Sequence, residues 1–187
     1  MNKRVFLASL LSLVITLYGI YDKDNYVVQL NHEGVDLPLK DIYHVFMNGY
    51  CSIEEDSYHC VSTPDGLKNI YEGLMITTPV VHWEASHWKL KLSIGLICIQ
   101  GLLSLIPSKF RYVSILSQLI GLGIMWLQLR IMVELGMVGR EIQAWLLQYG
   151  VHVDSGTLWP YTLTGALQLL LAMHGFTKMY YARNFIH

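Results

Sequence analysis

The 187-residue chain is 53% hydrophobic and only 14% charged, with a formal net charge of −1, against roughly a quarter charged in an ordinary soluble domain. That deficit points to lipid as the solvent. It also leaves no basic excess with which to hold nucleic acid.

Four apolar stretches of near-spanning length can be cut out by their flanks, at about 5–21, 90–107, 112–136 and 158–177; a span needs about 17–25 predominantly apolar residues. The first follows Lys3 and Arg4 and could be taken for a signal peptide. No small-x-small cleavage site follows it, however, and it ends in Leu17-Tyr18-Gly19-Ile20-Tyr21, aromatic residues suited to a membrane interface, so it reads as a retained span. Its seventeen residues rise about 25 Å, which fits the thinner bilayer of the endoplasmic reticulum better than a sterol-rich plasma membrane.

Residues 22–89 form a loop too long to be a structureless connection. The β-prone runs Tyr26-Val27-Val28-Gln29-Leu30 and Ile42-Tyr43-His44-Val45-Phe46-Met47, with turn signals from Asn31 to Gly34 and at Asn48-Gly49, predict a small antiparallel sheet standing on the membrane. Cys51 and Cys60 flank a polar spacer that reads as an exposed turn, and in an oxidising compartment they are expected to pair, stabilising this domain by roughly 2–3 kcal/mol. Cys98, in the second span, reads as a buried apolar thiol. The chain holds no Asn-x-Ser/Thr sequon, so no N-glycan is expected. His82 and His87 lie just before the second span; a spacing of five sets them about 140° apart on a helix, poorly placed to share a metal ion. They are read as interfacial residues or contacts to a partner or polar pocket.

In the third span, Ser117 and Gly121 form a small-x-x-x-small pair, as do Thr162 and Ala166 in the fourth, a pattern that lets helices approach closely. Arg130 and Glu134 are four apart on one helix face. They form either a local ion pair at the exterior end of the span or a contact to a partner subunit or polar pocket. Residues 139–153 read as a short amphipathic helix lying at the exterior interface.

Charge sets the expected orientation. With the amino terminus in the cytosol, the cytosolic pieces carry Lys3, Arg4, Lys109, Arg111, Lys178 and Arg183 and no acid; all 14 acidic residues lie in the long loop, late in span three or before span four. Both termini are therefore expected in the cytosol. Trp83, Trp88, Trp126, Trp145 and Trp159 fall near the opposite ends of the spans, where an indole prefers the headgroup region.

Four spans, a long first exterior loop and Gly49-Tyr50-Cys51 followed by Cys60 and Pro64 resemble the claudin-like tetraspan proteins, most closely the fungal branch that includes PalI and the eisosome-associated proteins. The element differs from that of animal claudins, in which Gly-Leu-Trp precedes the first cysteine by a few residues. The resemblance implies a scaffold that associates with other membrane proteins.

No Gly-rich phosphate cradle, His-Glu-x-x-His helix or Gly-x-Ser-x-Gly elbow is present in the sequence. The expected fold class is an all-α membrane protein, an antiparallel four-helix bundle bearing a β-rich, disulfide-closed exterior domain between spans one and two. The expected function is a non-enzymatic scaffold or auxiliary subunit, in a hetero-complex or a lateral homo-assembly, with no cofactor or metal. The alternative is a subunit of a lipid- or glycolipid-handling complex, with a polar groove around Arg130, Glu134 and the loop histidines.

Overall fold

The computed structural model describes residues 2–21, 26–31, 42–46, 49–54, 57–62, 81–107, 111–147, 152–156 and 158–184, with side chains described chiefly in the helices. The elements run α1 (Lys3–Tyr21), β1 (Tyr26–Asn31), β2 (Ile42–Phe46), β3 (Gly49–Glu54), β4 (Ser57–Ser62), α2 (Val81–Leu105), α3 (Arg111–Leu147), β5 (His152–Ser155) and α4 (Trp159–Asn184). They divide into two compact units. One comprises Met1–Leu17, Trp88–Ile131 and Pro160–His187; the other comprises Tyr18–His87 and Met132–Trp159.

Three helices, within Lys3–Ile20, Trp88–Leu105 and Tyr112–Glu141, are long and apolar enough to cross a membrane. Asn2 caps α1: its carbonyl accepts from Phe6 N–H at 3.1 Å and its side-chain oxygen from Val5 N–H at 3.5 Å. The 37 residues of α3 rise about 55 Å, well beyond a hydrocarbon core of about 30 Å.

In the first unit much of the outside is apolar, and polar side chains lie inside beside a buried aliphatic core that includes Val5, Ile15, Ile97 and Ile124. Along α1, Leu7, Leu10, Leu11 and Val14 are exposed, while Ser9, Ser12 and Thr16 are buried, the latter two completely. The same holds elsewhere: Leu102, Leu170 and Met173 face outward, whereas Ser93, Gln100, Gln128, Thr164 and Gln168 are inside. An aqueous protein rarely tolerates an apolar surface of that extent. In lipid it costs nothing, and each polar group must instead turn inward to find a partner.

In the second unit, β1 to β4 and β5 form one antiparallel sheet in the order β4-β3-β2-β1-β5. Its fifth strand comes from outside the long loop: Val28 pairs with Ser155, Gln29 with Asp154, Leu30 with Val153 and Asn31 with His152. The rings of Tyr18 and Trp159 meet in a tilted contact, 5.8 Å between centroids. Just before α4, Leu158 holds a left-handed φ of 47° and is buried; packing of its side chain offsets the strain of that conformation.

The expected fold class needs correction. The side chains that the structure describes belong almost entirely to the four helices, a helical bundle, and the strands do not make a self-contained, disulfide-closed β domain within residues 22–89. The physical reason is that β1 would be an open edge within the loop, and the segment before α4 covers it. The spacer between Cys51 and Cys60 is mostly strand, not turn, with Cys51 and Cys60 register partners across β3 and β4; their side chains lie outside the described residues. The expected interfacial helix over 139–153 is also replaced: α3 runs unbroken to Leu147 and Val153 lies in β5. Cys98 is exposed, not buried; its neighbour Ile97 takes the buried face of α2 instead.

Proline at Val153 would remove a ladder donor and constrain the strand. Val153→Pro is therefore expected to open the β1–β5 ladder, raising amide hydrogen exchange across residues 28–31 while leaving β3 and β4 protected. Equal exchange in variant and parent would contradict the pairing.

Candidate functional site

The most ordered chemistry among the described residues is a seam of uncharged polar side chains inside the first unit. On α1, Ser9, Ser12 and Thr16 recur at intervals of three and four, which sets them on one helical face. Ser9 Oγ donates to Gln100 Oε1 of α2 at 3.0 Å. Ser12 Oγ accepts from Gln168 Nε2 of α4 at 2.9 Å, and the hydroxyls of Thr16 and Thr164 meet at 3.3 Å. On the far side of α2, Gln100 Nε2 donates to the Ser117 carbonyl at 3.2 Å and Ser93 Oγ accepts from Gln128 Nε2 at 2.8 Å. Partners descend on one helix as they climb on the next, so these bonds fix an antiparallel register.

Small residues allow the approach. A Cβ on Gly121 would lie 2.9 Å from Gln100 Nε2 and 3.2 Å from Gln168 Oε1. Gly175 of α4 leaves the space that the Gln118 amide occupies, and Gly101 and Gly165 lie against Ser9 and Gln128. Among the described residues, three buried oxygens have no hydrogen-bond partner: Ser117 Oγ, Gln128 Oε1 and Gln168 Oε1.

At one end of the seam, Asn2, Val5, Leu103, Ser104, Ile106, Val113, Ser114, Ser117 and Gln118 line a cleft of about 30 Å³, room for one or two waters. The Asn2 amide donates to the Ser104 carbonyl there at 2.8 Å. Arg4 Nη1 lies 3.3 Å from His174 Nε2.

The residues singled out from sequence do not converge on this seam, apart from Ser117 and Gly121. Arg130 is exposed, with its guanidinium 5.5 Å from the Trp126 ring centroid, a cation–π arrangement. Glu134 is buried at 7% exposure. Neighbours at i and i+4 thus differ in burial. His82 and His87 lie in the first turns of α2, with side chains outside the described residues. Thr162 and Ala166 are exposed; Thr164, Gly165 and Gln168 form the packed face of α4 instead. Trp88, Trp126 and Trp159 are exposed, as interfacial anchors require. The seam itself was missed because Ser, Thr and Gln only dilute a hydropathy average, although their helical recurrence within apolar runs carried the signal.

No family model matches the chain, and no curated protein matches it either.

Gln100 makes two interhelical bonds, and such bonds average about 0.6 kcal/mol each in a membrane protein, with a maximum near 1.7. Gln100→Leu is expected to cost about 1–2 kcal/mol, read as a lower unfolding temperature in mild detergent. Gly121→Val should be at least as damaging, since its methyls displace both the Gln100 and Gln168 amides, while Gly123→Val, with only Leu96 at 3.9 Å, is expected to be milder. A reversed order of the two glycine variants would rule out the seam as the source of register.

Proposed function

We propose that this chain is a four-span membrane protein with both termini in the cytosol. On this reading it acts as a non-enzymatic scaffold or auxiliary subunit that associates laterally with other membrane proteins. The observation that carries this reading is the seam. Its amides and hydroxyls bind one another across α1, α2, α3 and α4, which suits holding helices in register. The body so formed presents aliphatic side chains outward, a surface for lipid and for neighbouring helices.

Three helices meet the length and apolarity of a span. The fourth crossing rests on α4, whose 26 residues rise about 39 Å and whose Thr164 and Gln168 are sheltered inside. The orientation rests on the acid-free cytosolic pieces. The claudin-like resemblance is part of the same reading. It is supported, among the described residues, by the order of one helix, four strands, two helices, one strand and one helix, and by Gly49-Tyr50-Cys51 and Cys60 on neighbouring strands. The endoplasmic reticulum is the favoured membrane because the 19 residues of α1 span only about 28 Å.

The test is purification of the full chain in mild detergent after in-cell crosslinking. The scaffold reading expects resistance to alkaline carbonate extraction and a defined complex of fixed stoichiometry. A chain that stays monomeric and turns over a lipid or glycolipid unaided would refute it.

A further inference from the structure

The cleft at the end of the seam combines features that neither topology nor packing requires. It lies where α1 and α3 begin: Asn2 caps α1, and Val113, Ser114, Ser117 and Gln118 are in the first two turns of α3. A helix N-terminus carries partial positive charge and favours an anion. Neither α1 nor α3 has an acidic residue in its first turn. Both start with bases instead, Lys3 and Arg4 on α1 and Arg111 as the first residue of α3. Each base adds to the positive end that a side-chain carboxylate would ordinarily neutralise. Within the same cleft, Ser117 is 95% buried, at 5% exposure, and its hydroxyl has no partner. Lys3 and Arg4 are exposed, and Arg4 is steadied by His174. Lys178, Tyr180 and Tyr181 are also exposed, toward the carboxyl end of α4.

From this arrangement we propose that the cleft binds the phosphate of an anionic phospholipid of the cytosolic leaflet. This inference rests on the membrane orientation proposed above. A phosphate oxygen fits the small cleft and accepts from Ser117 and from the α3 N-terminus, while the rest of the headgroup lies over Lys3 and Arg4. Tyrosines at this end accompany the glycerol region, where amphipathic rings prefer to lie. Polar contacts inside the cleft set this apart from general attraction of bases to an acidic leaflet, because Ser117 contributes no charge.

The experiment uses the full chain in nanodiscs of phosphatidylcholine alone or mixed with phosphatidylserine, with bound lipid counted by native mass spectrometry. One phosphatidylserine per chain is expected to survive release, and phosphatidylcholine to be lost. Ser117→Val should weaken retention without changing charge, and Lys3→Gln with Arg4→Gln should weaken it by about fivefold for each base. Arg140→Gln, an exposed base distant in sequence from the cleft, should leave it unchanged. Equal retention of both lipids, or full retention in both cleft variants, overturns the site. Displacement of the lipid by inorganic phosphate would show that the ligand is a free anion and overturn the lipid assignment. Should the paired base variant insert wrongly, Ser117→Val still decides. Release of the parent chain by alkaline carbonate would instead sink the membrane reading itself.

Discussion

Hydrocarbon offers no hydrogen-bond partner, and most of this architecture follows from that single constraint. A hydroxyl or amide carried into a span must be satisfied by its own helix or by a neighbour. In this chain the neighbours supply the partners: Ser9 meets Gln100, Ser12 meets Gln168, and Ser93 meets Gln128. Each bond requires close helix axes, which is why glycines stand opposite the glutamines at 101, 121, 165 and 175 or beside their partners. The apolar exterior is the complement of the same rule. Between helices already immersed in lipid there is little hydrophobic force to choose one packing over another, so polar bonds at set heights select the register.

The chemistry of the seam is also a choice against charge. An ionised side chain at mid-span would demand a paired, hydrogen-bonded counter-charge, at a desolvation cost of several kcal/mol per ion. Serine, threonine and glutamine avoid that cost, yet still penalise the wrong register. Charged groups are placed elsewhere: Lys3, Arg4 and Lys178 are exposed near the amino end of α1 and the carboxyl end of α4, and Arg130, Arg140 and Glu141 are exposed along the later part of α3. Glu134 departs from this pattern, being buried, and it is not without an interaction partner. The seam therefore acts as a device for specificity of packing, and its three unpartnered oxygens mark where it departs from full satisfaction.

Three apolar runs of the sequence fall in helices long and apolar enough to cross a membrane, because long apolar runs with distinct flanks leave little freedom. The β-branched and aromatic runs of β1 and β2 are legible beside their turn signals. The fifth strand was not legible: His152-Val153-Asp154-Ser155 is too short to announce itself, and its partner is over a hundred residues away. For the same reason the end of α3 was misplaced, since the apolar spacing of Glu141 to Leu147 looks alike in an interfacial helix and in the continuation of a span. Arg130 and Glu134 are conspicuous on any hydropathy scale, whereas Gln100 and Gln168 are conspicuous only once their neighbours are known to be apolar and outward-facing.

The bases at one end of the molecule expose a conflict between two electrostatic rules. Retention of positive charge in the cytosol favours Lys and Arg at cytosolic helix ends. On the proposed orientation the carboxyl end of α4 is such an end, and the placement agrees with the helix dipole. The amino ends of α1 and α3 lie there too on that proposal, and for them the same placement opposes it. Those two helices meet at the cleft that holds the unpartnered Ser117 hydroxyl. In the proposed lipid site a phosphate would resolve both demands at once, because an anion held between the two helix starts would neutralise the dipoles and the bases together. On that proposal the unfavourable first turns of α1 and α3 are the protein's half of an interaction whose other half is the lipid.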